Sequence, residues 1–223
     1  MKASATTTGT DMDILPILGG LVAAFVLSRG GTAEAQPVIE LRGPVMIYGD
    51  SQASAYGFGG GWADAVKQRG FTATNRNNDG KSTRWLWQNA PSQFSPASYD
   101  TVIVIAGAND GSNDYQGELQ SMISWLFHNG TRQVVYIPPL PLTVATDPEY
   151  LARVFPNRTV TWALEGDWLR NRNANHAALT RGARAAGAII VDPEALAPYP
   201  DAPDGIHATR DTGRMYAEIV LSQ

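Results

Sequence analysis

The chain has 223 residues, 43% of them hydrophobic, with a formal net charge of −4 and no cysteine. The lack of cysteine excludes a disulfide framework, a thiol nucleophile and thiolate metal ligands. The acidic balance, without a basic stripe, argues against nucleic-acid binding, and histidines at 128, 176 and 207 are too scattered to form a metal cluster.

Residues 1–10 are small, polar and rich in threonine. From Ile14 to Ser28 there is no charge, and as a helix this run spans roughly 22 Å, short of a ~30 Å hydrocarbon core. The length suits the apolar region of a signal peptide, and Ala33-Glu34-Ala35 fits a small-x-small cleavage site that would leave Gln36 as the new terminus. Against this, Asp11 and Asp13 stand where a signal peptide is basic, and Arg29 follows the run. An uncleaved anchor meeting the membrane through residues 14–28 is therefore the second reading. Both make residues 1–36 a leader or anchor of an exported or membrane-anchored protein, ahead of a domain at 37–223.

Glu34 to Pro44 reads as linker. Val45–Tyr48 is then a short apolar run with the look of a buried strand, and it stops at Gly49-Asp50-Ser51. A serine just past the carboxyl end of a buried strand sits where open α/β sheets place their ligands. The glycine-rich loop from Ala55 to Gly61 leads into a helix near Trp62–Gln68. Its spacing is not GxGxxG and no acidic residue follows at the required distance, which argues against a dinucleotide site. Phe71–Thr74 reads as a second strand, and Asn75–Thr83 as a polar loop opening a short helix that carries Trp85 and Trp87. Thr101–Ile105 is the clearest buried strand and runs straight into Gly107-Ala108-Asn109-Asp110.

Tyr115–Asn129 has helical periodicity, with Leu119, Met122, Ile123, Leu126 and Phe127 on one face. His128 at its carboxyl end suits the helix dipole and needs no chemical role. Gln133–Ile137 is the fourth strand. Leu142 to Asn171, with Tyr150, Phe155, Trp162 and Trp168, reads as an excursion over the active-site face; its aromatics form either a small satellite core or a stacking surface for sugar rings. A helix from Asn171 to Ala186 carries His176, read as structural or solvent-facing. Ala188–Val191 is the fifth strand, and a proline-rich loop leads to Asp204-Gly205-Ile206-His207. Thr209–Ser222 is a terminal helix.

The blocks Gly49-Asp50-Ser51, Asn77-Asn78-Asp79-Gly80, Gly107-Ala108-Asn109-Asp110 and Asp204-Gly205-Ile206-His207 together resemble the four signature blocks of the SGNH (GDSL-type) hydrolases, in order and over nearly the whole chain after residue 40. The resemblance implies an α/β, three-layer, flavodoxin-like domain. Its mainly parallel five-stranded sheet would have the order 2-1-3-4-5, preceded here by the N-terminal apolar helix. In that order strands one and three are neighbours, which puts Ser51 and Asn109 on two lips of one crevice.

A serine hydroxyl needs a base, and His207 is the histidine that lies beyond a strand end with an acidic residue, Asp204, three positions before it. The resemblance implies Ser51, Asp204 and His207 as the triad. It also implies the Ser51 N–H, the Gly80 N–H and the Asn109 amide as oxyanion donors. Asp50 and Asp110 are read as loop-fixing. No Gly-x-Ser-x-Gly occurs, which sets the chain apart from ordinary α/β-hydrolases. The expectation is a serine esterase working through an acyl-enzyme without metal or cofactor, its substrate a small-molecule or polysaccharide ester. Six tryptophans and an envelope-directed leader point to O-acetylated carbohydrate. The alternatives are a lipolytic esterase or thioesterase, and a surface glycan-binding module on the same scaffold.

Overall fold

The computed structural model describes residues 39–54, 61–139, 166–191, 207 and 210–221. The leader, most of the 142–171 excursion and Asp204 lie outside the described residues. Five parallel strands form one sheet: β1 (Val45–Gly49), β2 (Ala73–Asn77), β3 (Thr101–Ile105), β4 (Gln133–Ile137) and β5 (Ile189–Ile190), in the order β2-β1-β3-β4-β5. Strands buried on both faces read as unbroken apolar runs, because side chains alternate between two dry layers. In β3, Ile103 and Ile105 face one layer while Val102 and Val104 face the other. The first layer is closed by helices α1 (Gly61–Gln68) and α5 (Arg210–Leu221), through Trp62, Ala65, Val66, Ala217 and Leu221. The second is closed by α2 (Thr83–Gln93), α3 (Gln116–His128) and α4 (Gly166–Ala185), through Leu86, Leu119, Met122, Leu126, Leu179 and Ala183.

Two buried tyrosines on the sheet keep their hydroxyls paired: Tyr48 donates to the Leu86 carbonyl at 2.8 Å and Tyr136 to the Ala106 carbonyl at 3.0 Å. Among the described residues no helix is long and apolar enough to cross a membrane.

The second strand departs from the sequence reading. It occupies Ala73–Asn77 instead of Phe71–Thr74, so Asn75, Arg76 and Asn77 belong to the ladder and not to a loop. As the edge strand it is nowhere fully buried, and polar side chains there lose no core contact. α2 runs on through Pro91 to Gln93, and α4 begins at Gly166, ahead of the expected Asn171. β5 is only two residues long, within the expected 188–191.

Candidate active site

All strands point the same way, so the loops after β1, β2 and β3 leave the same edge of the sheet. Gly49 is in register with Asn77 on one side and Ile105 on the other. Ser51, Gly80 and Asn109 follow these partners by two to four residues, which gathers them at one end of three adjacent strands. Gly49 is required by the close approach: a Cβ there would stand 1.9 Å from the Ile105 carbonyl oxygen. The same carbonyl accepts the Asp50 N–H at 3.0 Å. The chain then turns into a single 3₁₀ turn, Ser51–Ala53, closed by the Asp50 side chain, which accepts the Gln52 N–H at 2.9 Å.

Ser51 Oγ lies 2.7 Å from His207 Nε2, across 156 residues of sequence. That is within the reach of a general base for its nucleophile. Three residues later, at the start of α5, Arg210 donates to Asp64 on α1 at 2.5 Å. This pair ties down the helix that follows His207, although an exposed pair of this kind contributes little stability.

Gly80 sits in a turn with φ +70, and nothing lies within 4 Å of where a Cβ would be. The turn is held at its start by the Asn78 N–H, which donates to the Gly49 carbonyl at 2.8 Å, and by Asn78 pairing with Gln93. Asn75, on the edge strand, donates to the Ala53 carbonyl at 2.6 Å. Asn109 is the unusual member: its side-chain Nδ2 is buried and has no hydrogen-bond partner. A buried amide donor without an acceptor needs an explanation, and an oxygen arriving with the substrate supplies one.

Asp50 and Asp110 are almost fully buried, at 0% and 1% exposure. Burial pushes the Asp50 carboxyl up to about 7, against the opposing pull of the Gln52 and Ala108 N–H groups. Asp110 is also raised by burial, with Thr83 acting in the other direction. The carboxylate of Asp110 accepts both the N–H and the hydroxyl of Thr83, each at 2.7 Å. Sequence reasoning missed Thr83 and Asn75, and carried Asn78 only as a member of the second signature block. The one available signal was a Ser82-Thr83 pair at a helix start, which reads first as a cap; Ser82 does accept the Trp85 N–H at 3.4 Å. Of the other histidines, His128 is exposed at the end of α3 and His176 is half-buried on α4.

The sheet order β2-β1-β3-β4-β5 and the helices on both faces match the fold of the SGNH (GDSL-type) hydrolases. Neither a family model nor a curated protein matches the chain in sequence. Solved structures match it in fold. A carbohydrate acetylesterase family member from Sinorhizobium meliloti superposes with a TM-score of 0.61 at 13% identity, over 81% of this chain and 96% of that one. A lipolytic protein of the G-D-S-L family from Desulfitobacterium hafniense gives 0.61 at 13% identity, over 80% and 97%. A catalytic mutant of an acetylxylan esterase from Geobacillus stearothermophilus gives 0.60 at 14% identity, over 82% and 94%. The likeness is one of fold.

Proposed function

We propose that the chain is a serine esterase that removes O-acetyl groups from carbohydrate by way of an acyl-enzyme. The observation that carries this reading is the 2.7 Å contact of Ser51 Oγ with His207 Nε2, at a sheet edge that also holds an unpartnered buried amide on Asn109. In the proposed sequence Ser51 Oγ attacks the acyl carbon while its proton passes to His207 Nε2. The carbonyl oxygen becomes an oxyanion, received by the Ser51 N–H, the Gly80 N–H and the Asn109 amide. Collapse breaks the ester C–O bond, and the departing sugar hydroxyl takes the proton from His207. Water then repeats the steps on the acyl-enzyme, with His207 again as base, releasing acetate and restoring the serine. Asp204, three residues before His207, is assigned to Nδ1, where a carboxylate fixes the tautomer and stabilises the imidazolium.

Carbohydrate acetyl groups are preferred because two of the structural neighbours are named for that chemistry, an acetylesterase and an acetylxylan esterase. The same reading gives residues 1–36 the task of carrying the domain to the envelope, as leader or anchor. The deciding measurement is turnover of p-nitrophenyl acetate, of a long-chain p-nitrophenyl ester and of acetylated xylan, with a fluorophosphonate probe to mark the nucleophile. The expected result is release of acetate from the polysaccharide, preference for the short ester and labelling at Ser51. Preference for the long chain would make the protein lipolytic. Glycan binding without hydrolysis or labelling would make it a binding module.

A further inference from the structure

Resting on that reading, we infer that Asp50 and Asp110 are positioning residues that hold the oxyanion donors together as one unit, without touching the substrate. Asp50 spends both carboxylate oxygens on backbone. Oδ1 accepts the Gln52 N–H at 2.9 Å and so closes the turn around Ser51. Oδ2 accepts the Ala108 N–H at 3.1 Å, on the residue before Asn109. With its own N–H on the Ile105 carbonyl at 3.0 Å, Asp50 joins the loop after β1 to the end of β3 and the loop after it at two points. Asp110 continues the chain of links. Both its oxygens go to Thr83, at 2.7 Å each, the first residue of α2 and three positions past Gly80. Ser51, Asn109 and Gly80 are thus carried on loops joined by two carboxylates, across 58 and 27 residues of sequence.

Their chemistry argues against mere turn formation. A buried carboxylate is costly unless a cation faces it, and among the described residues the charged groups acting on Asp50 are Asp110, which is like-charged, and His207. Among the same residues the one acting on Asp110 is Glu118. A serine or asparagine would close a turn at smaller cost. What it lacks is a pair of rigid acceptors. At position 50 both partners are N–H donors, so an asparagine would satisfy one and set its own amide hydrogens against the other. Two acceptors at fixed spacing lock two loops at once, and an oxyanion hole works only if its donors are placed to a fraction of an ångström. The bare Asn109 Nδ2 fits the same account: a donor left without an acceptor stays where it is only if the loop beneath it is held by other bonds.

The test is a double-mutant cycle on p-nitrophenyl acetate hydrolysis, with Asp50→Asn, Asn109→Ala and the pair. If Asp50 acts through Asn109, Asp50→Asn lowers kcat about tenfold or more, with KM held within about twofold, and loses most of that effect, falling to about threefold or less, once Asn109 is alanine. Asp110→Ala, run in the same cycle, gives the same pattern from the other link and stands in if Asp50→Asn does not fold. Losses that multiply independently in folded variants, or a rise in KM with kcat unchanged, would reduce both carboxylates to structural supports. A wild type that turns over the ester and labels at Ser51 but shows such independence overturns the clamp alone. A wild type that does neither overturns the esterase reading and the clamp with it.

Discussion

Asp50 offers a stability test that needs no substrate. Its carboxyl is raised by burial from 3.8 to about 7, so the folded protein holds this proton more tightly than the unfolded chain does. The linkage has a definite sign. Between pH 4 and 7 the folded state binds more protons at this site, and stability falls as pH rises; below about 4 both states are protonated, the slope vanishes and the stability linked to this proton is fully present. At ~1.4 kcal/mol per pH unit, the step from 3.8 to about 7 sets the scale at roughly 4 kcal/mol. Asp50→Asn removes the titration while keeping the shape. The variant starts lower at acid pH, because its amide opposes one N–H donor. Its melting temperature minus that of the wild type should then climb on going from pH 4 to pH 8, by on the order of 10 °C for a domain of this size. Calorimetric or fluorescence melts across that range, in buffers of matched ionic strength, measure the difference directly. Parallel curves for the two proteins would mean that Asp50 ionises in the ordinary carboxylate range, and that the cost attributed to its burial does not exist.

Other expectations follow from the same geometry. Asn109→Ala should lower kcat roughly a hundredfold or more with KM nearly unchanged, and Asn109→Asp should be at least as damaging because it sets a negative charge against the oxyanion; near-normal kcat in a folded aspartate variant would remove Asn109 from the mechanism. Ser51→Ala should melt close to the wild type yet show no ester turnover and no fluorophosphonate labelling, and residual labelling at another serine would transfer the assignment there. Gly49→Ala should cost about 3 kcal/mol or more in a urea titration, since its Cβ would meet the Ile105 carbonyl oxygen at 1.9 Å; a loss under 1 kcal/mol would show that β1 and β3 can part without consequence. A chain beginning at Gln36 should be soluble and fully active on p-nitrophenyl acetate, and inactivity in it would place part of residues 1–36 in the catalytic domain.

The sequence by itself determined the central strands and the order of the site's pieces. Thr101–Ile105 and Gln133–Ile137 were legible to the residue, because a strand buried on both faces admits almost no polar side chain and its ends are marked where polarity returns. The Gly49-Asp50-Ser51 and Gly107-Ala108-Asn109-Asp110 blocks stood out because each ends an apolar run with residue types that chemistry uses and cores avoid, whereas the Asn77–Gly80 and Asp204–His207 blocks stood out only through the family resemblance. The edge strand was not. Ala73-Thr74-Asn75-Arg76-Asn77 has no apolar face to announce it, and only pairing with β1 makes it a strand. Tertiary structure alone decided which groups meet. The hydrogen bonds of Asp50 with Ala108, of Asp110 with Thr83 and of Ser51 with His207 span 58, 27 and 156 residues. Nothing in local composition distinguishes an aspartate that closes its own turn from one that also holds a second loop. That distinction belongs to the sheet order, which brings the ends of β1 and β3 side by side and leaves their backbone donors facing a single buried carboxylate.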